Sequence, residues 1–182
     1  VLMLEAFLVS TGIVALAEMG DKTQLLSFVL AARFRRPWPI CWGILVATAA
    51  NHALAGAVGT WVVRMLGPDA LRWVLGLSFV AMAAWMLKPD ELDADDAKAP
   101  ANLGVFGTTF VAFFLAEMGD KTQIATVALA AKYGAYAAVV IGTTVGMMLA
   151  NVPAVLLGER ITRVVPTRIA HAIAAAIFAL LG

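Results

Sequence analysis

The chain has 182 residues, 62% of them apolar and 14% charged, with a mean hydropathy of +0.90 and a formal net charge of +1. Soluble domains sit nearer half apolar and a quarter charged, so these charges are too few to cover the surface of a water-soluble globule of this size. The near-neutral balance gives no footing for a nucleic-acid partner, and the single cysteine, Cys41, excludes an internal disulfide and a cysteine-based metal cluster.

Charged residues fall in clusters, and the apolar stretches between them predict six membrane-spanning helices in an all-α integral membrane protein. The first covers residues 6–30. It lacks a basic start and carries Glu18, Asp21 and Lys22 in its middle, so it is not a signal peptide. The second covers 40–63 and the third 70–87. Residues 88–102, KPDELDADDAKAPAN, hold five acids and two lysines. They lack the central Gly and final Glu of a calcium loop and read as a solvated linker between two halves. The fourth span covers 103–131, the fifth 136–157 and the sixth 165–182. The sixth is short after Arg168, which points to a clipped C-terminus. Runs this long and unalternating exclude barrel strands. Trp38, Trp61, Trp73 and Trp85 fall near span ends, as an interfacial belt requires, and Gly142 and Gly146 have the spacing of close helix packing.

Lysine and arginine orient the chain. One side would carry Arg33, Arg35, Arg36, Lys88, Lys98, Arg160, Arg163 and Arg168, and the other Arg64, Arg72 and Lys132. The richer side is expected to be cytoplasmic, with the acidic linker inside and both termini outside.

The strongest signal is internal. Residues 17–24 read AEMGDKTQ, and residues 116–123 read AEMGDKTQ again, 99 positions later. The likeness continues in 30–34 (LAARF) against 129–133 (LAAKY), in Gly59 against Gly158, in Arg64 against Arg163, and in Asn51 against Asn151 one residue out of register. The chain therefore reads as residues 1–87 and 103–182, two copies of a three-span unit joined by the linker at 88–102. Three is odd, so the second copy must enter the membrane from the opposite face. The expected plan is a pair of inverted repeats with a midplane site at their interface. Gly20 and Gly119 mark where each first span could break.

Each motif sets Glu, Asp and Lys deep in an apolar segment, where a charge costs on the order of 3 kcal/mol. On a continuous helix Glu18, Asp21 and Gln24 share one face, as do Glu117, Asp120 and Gln123. Four carboxylates sum to −4, and Lys22 and Lys121 return +2. The remaining −2 matches one divalent cation. All the donors are oxygens, so the site is a hard one, for Ca²⁺, Mn²⁺ or Mg²⁺, and the cation is cargo rather than a resident cofactor. Met19 and Met118 point away and read as packing residues. Paired i,i+4 contacts Glu18–Lys22 and Glu117–Lys121 would account for the lysines but leave both aspartates unmatched.

The doubled Glu-x-Gly-Asp-Lys-Thr, at residues 18–23 and 117–122, resembles the family of Golgi Ca²⁺/Mn²⁺–proton exchangers and its bacterial manganese exporters. That resemblance spans nearly the whole chain. It implies divalent-cation transport with the acidic motif residues as the ion site, exchange with protons, and a place in a bacterial inner membrane.

The remaining polar residues have two readings each. Asn51 and Asn151 either ligate the ion or bond across helices, and Thr23 and Thr122 either ligate it or bond the carbonyl four residues back. His52, opposite Val152, and His171 read as packing or interfacial residues. A membrane protease is disfavoured: Glu18 and Glu117 stand where a Gly-x-Gly-Asp motif needs glycine, and Ser10, Ser27 and Ser78 have no evident histidine mate. Amino-acid substrates would bring a carboxylate to a site of net −2. A passive channel or uniporter is the alternative that residue types alone leave open. For a transporter, an emptied site of four carboxylates favours uptake of one or two protons, which makes exchange of one M²⁺ for about two H⁺ the expected coupling.

Overall fold

A computed structural model describes residues 2–88, 103–157 and 167–182. Gly158, Arg160, Arg163 and the linker beyond Lys88 lie outside the described residues, and so do the readings that rest on them. The described residues form eight helices: α1 (Leu2–Ala17), α2 (Lys22–Phe34), α3 (Pro37–Met65), α4 (Pro68–Met86), α5 (Gly104–Glu117), α6 (Lys121–Tyr133), α7 (Tyr136–Leu157) and α8 (Thr167–Leu181).

The first and fourth expected spans are each broken at the repeated motif, where the sequence places glycine. Gly20 takes φ 80° and Gly119 φ 77°. These are left-handed values that glycine adopts at no steric cost and that end a right-handed helix. Ala17 and Glu117 are therefore final helical residues, and Asp21 and Asp120 stand just before the first turns of α2 and α6. Both second pieces end alike, on a left-handed residue whose N–H returns to the carbonyl of Ala31 or Ala130. Glycine fills that place in one half (Gly134), and Arg35 at φ 51° in the other.

By length and composition α3, α4 and α7 can cross a bilayer, and α1 with α2, bent by 69° at the break, passes the same test only as a pair, a broken span or a re-entrant loop. At 14 and 15 residues, α5 and α8 are shorter than the roughly 20 residues a straight crossing needs. The breaks fall at Gly20 and Gly119, where the sequence leads one to expect them, and among the described residues three to four spans pass by length and composition.

The two halves pack reciprocally. α1 lies along α7 and α5 along α3, while α2 meets α7 and α6 meets α3. Small residues allow the close approach: a Cβ on Gly146 would sit 2.6 Å from the Thr11 carbonyl, and one on Gly142 2.7 Å from that of Phe7. Gly43, 99 residues before Gly142, meets the Thr109 side chain of α5 in the same way. Backbone contact of this kind is how helices associate where lipid removes the hydrophobic drive. α4 and α8 pack on each other through Phe79 and Phe178, whose ring centroids are 6.1 Å apart. Trp38, Trp61 and Trp73 are exposed near the helix ends, in keeping with an interfacial belt.

Candidate metal centre

The two breaks bring the motifs together. Glu18, Asp21 and Asp120 are buried, and each offers a carboxylate oxygen such that all three lie within 4.8 Å of one another. Two of these residues come from the first half and one from the second. Glu18 and Asp21 do not share a helix face, as a continuous helix would have it. They converge because the chain turns between them, Glu18 following the last residue of α1 and Asp21 preceding α2. Neither Asp21 nor Asp120 spends its side chain capping the helix it precedes. Glu18 Oε2 accepts a hydrogen bond from the Thr23 hydroxyl. Its other oxygen, Oε1, is buried without a hydrogen-bond partner. In an apolar interior such an oxygen calls for a cation or a proton.

Glu117 is also buried, but it lies outside the three-carboxylate group. Thr48 Oγ1 donates to its Oε1 at 2.7 Å, and its Oε2 is 3.7 Å from His52 Nε2. His52 is fully buried. It is no interfacial residue, and sequence reasoning missed its place beside the motif. A usable signal existed: Thr48 and His52 are four apart on α3 and so share a face.

The lysines do not make the i,i+4 pairs. Lys22 Nζ crosses between the halves to Asp120 Oδ1 at 3.6 Å, and the buried Lys121 donates to the Lys88 carbonyl at 2.8 Å. A broken helix removes the geometry that i,i+4 pairing needs. The threonines do not bond the carbonyl four residues back either: Thr23 serves Glu18, and Thr122 Oγ1 lies 3.5 Å from Asp120 Oδ2.

The glutamines brace the breaks. Gln24 Oε1 accepts the Gly20 N–H at 2.9 Å and Gln123 Oε1 the Gly119 N–H at 2.6 Å, leaving each carbonyl a second lone pair. Their amide nitrogens reach across, Gln24 Nε2 to the Ala150 carbonyl at 3.1 Å and Gln123 Nε2 to Asn51 Oδ1. Ala150 and Asn51 are 99 positions apart, so the register of the motifs runs on without a slip and Asn51 answers to Ala150 rather than to Asn151. Asn51 donates to the Phe114 carbonyl at 3.3 Å. Asn151 accepts from Ser27 at 2.8 Å and donates to the Met147 carbonyl at 3.1 Å. Both asparagines thus hold helices together across the halves.

Comparison with known proteins points the same way. The profile of a family described as "Divalent cation/proton antiporter GDT1" matches residues 6–94 and 105–182. A protein of Vibrio cholerae named "Putative manganese exporter" is 50% identical over 96% of this chain and 86% of its own length. A GDT1-like protein of Synechocystis is 31% identical over 81% of this chain and 82% of its own. GDT1-like protein 4 of Oryza sativa subsp. indica is 26% identical over 86% and 64%. No solved structure matches the chain.

Proposed function

The chain belongs to the GDT1 family of divalent cation/proton antiporters, and on that premise we propose that it exports Mn²⁺, with Ca²⁺ a secondary cargo, in exchange for about two protons. The observation that carries this reading is the buried meeting of Glu18, Asp21 and Asp120 from both halves, with an oxygen of Glu18 still unpartnered. Glu117 stands beside the set and supplies its fourth negative charge, and Gln24 and Gln123 keep the breaks in shape around it. Lys22 and Lys121 lower the residual charge to −2, so that the metal-loaded site and a doubly protonated empty site are both neutral. Either form can then pass the alternating-access step without carrying net charge through lipid.

The scaffold in this reading is two inverted three-span repeats, residues 1–87 and 103–182, in a bacterial inner membrane. The reciprocal packing of α1 on α7 and α5 on α3 supports it, as does the motif repeated in register. The Lys/Arg split puts the 88–102 linker in the cytoplasm and both termini in the periplasm. A reporter inserted in that linker is expected to read cytoplasmic. A periplasmic signal there reverses the orientation.

Coupling is tested in proteoliposomes with an imposed pH gradient and an internal Mn²⁺ indicator. Metal is expected to move against the proton flow, with a matching change in internal pH. Metal flux that ignores the gradient and moves no protons would establish a uniporter or channel instead.

A further inference from the structure

We infer that His52 and Glu117 form a second ligating position beside the three-carboxylate cluster, one that takes first-row transition dications in preference to Ca²⁺ and Mg²⁺. This deepens the transport reading above and rests on it. His52 Nε2 and Glu117 Oε2 face each other at 3.7 Å, and neither atom has a hydrogen-bond partner. His52 Nδ1 has none either. Both side chains are fully buried, so water does not make up the deficit at the surface.

The separation has a simple reading. At 3.7 Å the pair is too long for a hydrogen bond. One ion about 2.1 Å from each atom would span that gap with a ligand–metal–ligand angle of roughly 120°. Glu117 is held ready for it, because Thr48 Oγ1 ties down the other oxygen at 2.7 Å. Thr48 and His52 project from one face of α3, so a single rigid helix presents the hydroxyl and the imidazole together.

The chemistry then separates cargo classes. The Glu18, Asp21 and Asp120 position is all oxygen and does not distinguish Mn²⁺ from Ca²⁺ or Mg²⁺ by donor type. An imidazole nitrogen does, since it suits transition ions and adds little for the hard alkaline-earth ions. The nitrogen also makes the two halves unequal. The place matching His52 is held by Asn151 in the structural register and by Val152 one residue on, and Asn151 is already bonded to Ser27 and Met147. Selectivity therefore resides in the second half's motif and the α3 face opposite it.

The test uses the full chain with Mn²⁺ as the probe. Pulsed electron paramagnetic resonance of bound Mn²⁺ is expected to show ¹⁴N modulation from an imidazole, lost in His52→Gln and kept in His171→Gln. In proteoliposomes, His52→Gln is expected to reduce the preference for Mn²⁺ over competing Ca²⁺ by about tenfold. The wild-type spectrum decides the matter even if His52→Gln fails to fold. A wild-type chain that transports Mn²⁺ against a pH gradient yet shows no nitrogen modulation overturns the inference and leaves the transport reading standing. Modulation that persists in a folded His52→Gln overturns it as well. A wild-type chain that neither binds nor moves Mn²⁺ overturns the transport reading itself.

Discussion

Asp120→Asn is expected to reduce metal transport by on the order of a hundredfold, and Asp21→Asn to do the same. The substitution keeps shape and removes charge, so it isolates the electrostatic role. Asp120 serves two partners at once: it is the second half's member of the three-carboxylate cluster, and it receives Lys22 across the halves at 3.6 Å. Asparagine there leaves a residual charge of −1 against a dication and replaces an anionic donor with a neutral one. Asp21 stands at the N-terminus of α2, where the positive end of the half-helix favours an anion. The measurement is Mn²⁺ flux into proteoliposomes at fixed pH gradient, normalised to folded protein. If the first-half variants Glu18→Ala and Asp21→Asn lost transport while Glu117→Ala and Asp120→Asn kept it, a site shared between the halves would be wrong.

Lys22→Gln is expected to move affinity and turnover in opposite directions. Removing the ammonium that faces Asp120 takes the residual charge from −2 to −3, so the loaded site is expected to bind Mn²⁺ more tightly, by at least about tenfold. The same change leaves both the loaded and the doubly protonated forms one charge short of neutral. Crossing then drags a charge through low dielectric, and turnover falls by about tenfold. Calorimetric titration of Mn²⁺ reads the first effect and flux at saturating metal reads the second. Weaker binding with slower flux would mean that Lys22 only holds the halves together, and unchanged values for both would make the ion pair with Asp120 idle.

Much of this protein is visible in its residues taken in order. Composition alone demands a lipid-facing chain, because a charged share of 14% cannot solvate a globule. The eight-residue identity 99 positions apart makes two copies of one unit the reading the sequence supports, and the motif residues make a hard cation site the expectation, because every charged donor in them is an oxygen anion. Gly20 and Gly119 mark the breaks by residue type alone, since a glycine interrupting an apolar span permits the left-handed backbone that ends a helix.

Other features depended on the tertiary structure, and for one physical reason. Spacing rules assume that the helix continues, and here it does not. Once the chain turns at Gly20, Glu18 and Asp21 cease to be neighbours on a face and become neighbours across a gap. For the same reason Glu18–Lys22 gives way to Lys22–Asp120, a contact between residues 98 positions apart that no local period encodes. Gln24 with Ala150, Ser27 with Asn151, Thr48 with Glu117 and Glu117 with His52 are all contacts of this long-range kind. Residue types and their repetition determined that this chain would carry a divided carboxylate site within a membrane. Only the packing of α3 and α7 against the opposite motifs decided which groups meet in it, because partners so far apart are chosen by which faces the small residues allow to touch.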